Sequence, residues 1–151
     1  MNVRILGALG VAAAFTLAAC GSSSSAPSTL TKAEWVTQAN AICKDLNDRS
    51  SAIKPTSEAD LGPAITKVAA LSAEDIVKLA ALKPPAEIQA DVTTMITAYE
   101  SVNKGFQDAA AKVAAGDVPS AAKLMESASA AGPTGDAAAN KLGATECSKN
   151  N

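Results

Sequence analysis

The sequence predicts an all-α domain built as an up-down-up-down four-helix bundle, and three observations carry that expectation. Apolar residues recur at alternating spacings of four and three, the interval of a bundle seam. Aromatic residues make up only 3% of the chain, and alanine is abundant, which suits close-packed helices and starves a β-sandwich. Prolines and glycines gather near the ends of the periodic runs, so connections are short and neighbouring helices antiparallel.

The first helix opens with two start signals. Thr31 and Glu34 have the spacing of a capping box, and Leu30 and Trp35 occupy the positions of a hydrophobic staple. Trp35, Ala39, Ile42, Leu46, Arg49 and Ile53 then form a seam whose one polar member, Arg49, is expected to snorkel. Lys54-Pro55 stops the helix, because a residue before proline avoids the α region. A second helix begins near residues 57–60 and tolerates Pro63 in its first turn. Its face is Leu61, Ile65, Val68, Ile76, Leu79 and Leu82, nearly in phase throughout, so it is read as continuous across Ser72-Ala73-Glu74-Asp75.

Lys83-Pro84-Pro85 forces a break, and Pro85 suits the first turn of a third helix. Ile88, Val92, Met95, Tyr99, Val102, Phe106, Ala109 and Val113 keep the four–three alternation without a fault. Gly116 ends that run as a C′ glycine. Asp117 caps a fourth helix with Pro119 in its first turn. Its apolar face is thin, and a kink or break is expected near Gly132-Pro133 before a last piece reaching Leu142-Gly143.

Upstream of the bundle the chain carries an address. Arg4 supplies a positive start, Ile5 to Leu17 an apolar run, and Ala18-Ala19 the small residues of a secretory signal. Leu17-Ala18-Ala19-Cys20-Gly21 resembles the lipobox of bacterial lipoproteins. That resemblance implies cleavage before Cys20, a palmitate-class lipid on Cys20, and attachment to the extracytoplasmic face of the cell membrane. A spanning anchor and an ordinary cleaved signal are the alternatives, but the apolar run is shorter than the ~20 residues a span needs. The expected organisation is a signal peptide over 1–19, the lipidated cysteine and Ser-rich tether over 20–29, and the helical domain over 30–151. Cleavage removes Arg4 and takes the net charge from −2 to about −3. With no basic run, nucleic acid is not an expected partner.

Cys43 and Cys147 then lie in a compartment where a disulfide persists. Cys43 sits roughly 18 Å up the first helix, and the four residues after Gly143 climb at most about 13–14 Å. The two meet only if the tail turns upward or the fourth helix stops short. Gln38-Ala39-Asn40-Ala41-Ile42-Cys43, Leu79 to Ile88 around the Pro-Pro turn, and Leu142-Gly143 before Cys147 resemble a group of small secreted actinobacterial helical lipoproteins. The resemblance spans nearly the whole mature domain and supports the disulfide and the bundle. It implies no active site.

Chemistry is sparse. The chain has no histidine, which removes the commonest general base and metal ligand and the usual nucleophilic triads. No haem, metal or other cofactor is expected. Asp45–Arg49, Glu74–Lys78, Glu100–Lys104 and Asp108–Lys112 place acid four residues before base, the favourable order for surface pairs. The thin fourth helix suggests a groove beside helices one and three, lined by Ile42, Leu46, Met95, Tyr99 and Phe106. Trp35, at a bundle end, is a candidate exposed contact for lipid or partner. The expected function is non-enzymatic binding of an envelope protein or a small apolar molecule. The alternatives are a structural spacer or assembly subunit of an envelope complex and, less favoured, an enzyme working without histidine.

Overall fold

The computed structural model describes residues 29–149. The expected signal peptide, Cys20 and all of the tether except Thr29 lie outside the described residues. Among those described, all regular structure is helical, and none of the helices is long and apolar enough to cross a membrane.

Helix α1 spans Lys32–Ser51. Its start is fixed as the sequence requires: the Glu34 N–H donates to Thr31 Oγ1 at 3.3 Å, and the Thr31 N–H donates to Glu34 Oε2 at 2.9 Å. These bonds satisfy backbone donors that the first turn leaves open. Leu30 packs on the core beside Trp35, and its N–H donates to the Lys83 carbonyl at 2.9 Å. The entry of the chain into α1 is thereby tied to the far end of the next helix.

A 3-10 turn at Glu58–Asp60 leads into α2, Leu61–Ala81. The helix is continuous through residues 72–75, as its face implied. Two of its residues depart from the sequence pattern, Leu61 of the apolar face and Asp75 beside it. Leu61 is exposed, whereas Asp75 is buried because Arg49 and Lys78 neutralise it there.

Helix α3 runs Gln89–Ala114, starting later than the sequence suggested. Pro85 and Glu87 stand before it, in a turn closed by Ile88 N–H to the Pro85 carbonyl. Every residue of its eight-member seam is buried or half-buried. Gly116, at φ 77°, ends it. The N–H groups of Gly116 and Asp117 reach back to the carbonyls of Val113 and Lys112, both at 2.9 Å, in a Schellman arrangement.

The fourth helix is two helices. Helix α4 covers Val118–Ser129, capped by Asp117, whose carboxylate accepts from the Ser120 N–H at 3.2 Å. Helix α5 covers Gly132–Leu142. Pro133 has no N–H to return to the carbonyl of Ser129, so the ladder ends there and restarts. Gly143, at φ 91°, closes α5 with a second Schellman arrangement.

Helix α3 is the axis of the molecule, with α2, α4 and α5 all packed on it. Gly62, near the start of α2, meets Val113 near the end of α3. Gly105 meets Ala128, and further back along α3 Tyr99 meets Gly135. The last two contacts run in opposite chain directions, so the fourth segment lies antiparallel to α3. They are also very close, since a methyl on Gly105 would fall 2.2 Å from the Ala128 Cβ. The thin apolar face of the fourth segment therefore seals the core by proximity rather than by side-chain bulk.

After α5 the tail turns upward through a 3-10 turn, Thr145–Ser148, and Cys147 bonds Cys43 with a Cα separation of 4.9 Å. Both routes the sequence left open contribute: α5 stops beside Val36 and Asn40, above the start of α1, and the tail climbs the rest of the way to Cys43. The main cluster of the core is Trp35, Leu79, Ile88, Val92, Met95 and Leu142, with Ala39, Ala138 and Ala139 filling between them.

Candidate functional site: a cavity between α1, α2 and α3

On the face of α3 away from α4 and α5, the first three helices do not close completely. They leave a cavity of about 190 Å³. Leu46 of α1, Val68 and Ile76 of α2, and Val102 and Phe106 of α3 give it an apolar wall. The Cys43–Cys147 bridge forms part of the boundary. Asn47, Ser50, Ser72, Asp75 and Asn103 add polar groups.

Leu46, Tyr99 and Phe106 line this cavity, whereas Ile42 and Met95 do not. Met95 is fully enclosed and Ile42 packs against the main core, because α5 approaches closely enough to cover that side. The opening lies on the α2 side of α3 and not beside the fourth segment. Trp35 is a second correction: it is 0% exposed, so its indole anchors the core and offers no surface contact. The staple carried it inward.

Three asparagines and one tyrosine hold the covalent lid. Asn40 Nδ2 donates to the Gly143 carbonyl at 3.2 Å, and its Oδ1 accepts from the Glu146 N–H at 2.9 Å. Asn47 Nδ2 donates to the Glu146 carbonyl at 2.9 Å. Asn140 Oδ1 accepts from the Ser148 hydroxyl at 2.9 Å. The Tyr99 hydroxyl donates to the Cys147 carbonyl at 2.9 Å. Each bond satisfies a polar group of a segment too short to satisfy itself. Sequence reading missed these bonds; the signal was the i, i+7 pair Asn40 and Asn47 flanking Cys43 on one helix.

An ion-pair cluster borders the cavity. Arg49 Nη2 donates to both oxygens of Asp75, at 2.8 and 2.9 Å, and Lys78 Nζ donates to Asp75 Oδ1 at 2.8 Å. Arg49 also meets Asp45 at 2.9 Å and Glu74 at 3.2 Å. It spans α1 and α2 instead of snorkelling. The Asp45–Arg49 and Glu74–Lys78 pairs form as the spacing predicts. Lys104, however, takes Asp108, and Lys112 turns to Asp117.

These pairs set an acid and an alkaline limit on stability. Hydrogen bonds from Lys78 and then Arg49 hold the Glu74 carboxyl below its ordinary 4.5, and bonds from Thr31 do the same for Glu34. Their contribution is complete above 4.5 and is lost as pH falls through the lowered values. Hydrogen bonds to Asp75 and then Glu74 raise Lys78 above its ordinary 10.5. That contribution is complete below 10.5 and is lost as pH rises through the raised value. With no histidine in the chain, the melting temperature is expected to stay level from about pH 6 to 9 and to fall outside that range. Calorimetric melts across pH check this, and a step between pH 6 and 8 would contradict it.

Among the described residues no group of three or more His, Cys, Asp or Glu side chains is arranged to hold a metal ion. The cavity can exclude water from an apolar body and offer it a few polar groups, which is the chemistry of binding. No protein-family model, no curated protein and no solved structure matches the chain.

Proposed function

We propose that this chain is an extracytoplasmic lipoprotein, held to the cell membrane by lipid on Cys20, whose up-down-up-down bundle binds a small apolar molecule without catalysis. The cavity of about 190 Å³ with its aliphatic and aromatic wall is the observation that carries the binding reading. A partly open apolar site of this kind favours ligand over water because its walls gain contacts they otherwise lack. The anchoring half rests on the lipobox-like Leu17-Ala18-Ala19-Cys20-Gly21 and on the resemblance to small secreted actinobacterial lipoproteins. The tether would join the bundle at Leu30, where α1 begins beside the end of α2.

Native mass spectrometry of the full-length chain, extracted from membranes in mild detergent, tests both halves. The expected spectrum shows a diacylglyceryl-modified Cys20 and an additional non-covalent small-molecule mass. An unmodified Cys20 would remove the anchor, and a clean apo mass that takes up no hydrophobic probe would remove the ligand.

One observation favours the assembly-subunit reading as a second possibility. Leu61 and Val118 are exposed at 43% and 50%, and Val118 lines a shallow groove with Gly62, Pro63 and Val113. That end of the bundle is opposite Leu30 and the start of α1. Crosslinks from it to one defined envelope protein would support this reading.

A further inference from the structure

One polar atom in the cavity is left unanswered by the fold. Asn103 is 7% exposed, lines the cavity from α3, and has its Oδ1 buried with no hydrogen-bond partner among the described residues. A buried amide oxygen without a partner is costly, and an aliphatic side chain of the same shape carries no such cost. Leucine would continue the packing of α3 at this position. The fold alone therefore gives no reason for an amide here, and an occupant of the cavity does.

The charge around the cavity narrows the occupant. Asp75 is the buried carboxylate of this wall, and both its oxygens are engaged, by Arg49 at 2.8 and 2.9 Å and by Lys78 at 2.8 Å. A cationic ligand finds Asp75 already paired, and an anionic one finds Arg49 and Lys78 already engaged by Asp45, Glu74 and Asp75. A neutral ligand fits. Size narrows it further: the volume is about 190 Å³, and an apolar cavity of about 150 Å³ takes up benzene.

Resting on the reading of this cavity as the ligand site, we propose that it selects a neutral, ring-sized molecule bearing a hydroxyl group, with Asn103 as the group that reads the hydroxyl. A hydroxyl both donates and accepts, as does the end of an amide. It satisfies Asn103 whichever way the amide is turned, whereas a ketone or ether, accepting only, cannot pair with the buried oxygen. The ring rests on Leu46, Val68, Val102 and Phe106 while the hydroxyl meets Asn103.

The test compares phenol with toluene, two rings of similar size that differ in the hydroxyl. Both are titrated into the full chain held in lipid nanodiscs and into the Asn103→Leu variant under identical conditions. Partition into lipid is common to both proteins, so the ratio of affinities is read against it. Phenol is expected to bind about tenfold more tightly than toluene to the native chain, and Asn103→Leu is expected to abolish or invert that preference. Removing an unsatisfied polar atom leaves the variant at least as resistant to heat. Asn103→Ala, which deletes the amide without adding bulk, is expected to lose the preference too. Equal affinities in the native chain, or a preference that survives both substitutions, would overturn the hydroxyl inference and leave the cavity as a ligand site. Binding of neither probe would overturn the ligand site itself.

Discussion

Replacing Cys43 and Cys147 together by alanine is expected to lower unfolding stability by up to about 4.7 kcal/mol. The two residues are 104 apart, so the bridge removes the closure entropy of a loop that takes in most of the domain. A domain of this size has a total of ~5–15 kcal/mol to lose. Its effect is also local. The tail bears the Glu146 and Cys147 backbone groups that bond Asn40, Asn47 and Tyr99, and none of these can hold a freed tail alone. Urea denaturation of the double variant checks the magnitude, and proteolysis between Gly143 and Lys149 checks the location. A midpoint shift under a tenth of the native value, with an uncut tail, would show that the bridge is incidental.

Gly105→Ala is expected to destabilise the domain by about 3 kcal/mol, at the upper end of ordinary overpacking. The added methyl would stand 2.2 Å from the Ala128 Cβ and 3.3 Å from its Cα. Backbone lies behind the methyl it strikes, so α4 has to move as a body. Moving the methyl across the interface supplies the control. Ala128→Gly alone opens a small void and weakens α4 slightly. Combined with Gly105→Ala, it is expected to restore about half of the loss, giving a coupling free energy of about 2–3 kcal/mol in a double-mutant cycle. Additive effects would mean that the two helices do not meet at this pair.

Both predictions concern features that the sequence discloses unequally. The α1 cap, the α3 seam and the two terminal glycines were legible because each depends on residues three to five apart, where local geometry decides the outcome. The break before Gly132-Pro133 was legible for the same reason. The disulfide was inferred from compartment and reach, and only the upward turn after Gly143 was left undetermined. What the sequence hid depends on distance between helices. The sparse alanine and serine of α4 and α5 read as a weak face, yet glycines at 105 and 135 let those helices approach until small side chains suffice. The same closeness buried Met95 and turned Ile42 toward the main core, moving the opening to the other side of α3. The burial of Asp75 was hidden because its partner on α1, Arg49, lies 26 residues away. Trp35 was placed correctly by its staple and wrongly by its position at a bundle end; the local signal was the better guide.

Methyl-resolved NMR of the full chain in nanodiscs, titrated with phenol, tests the cavity most directly. A small ring entering between the first three helices is predicted to shift the methyl signals of Leu46, Val68, Ile76 and Val102 together, saturating at one equivalent, while Val118 and Val77 stay unmoved. Shifts confined to Val118 and Leu61, or no saturable shift at all, would contradict a ligand site beneath the Cys43–Cys147 bridge.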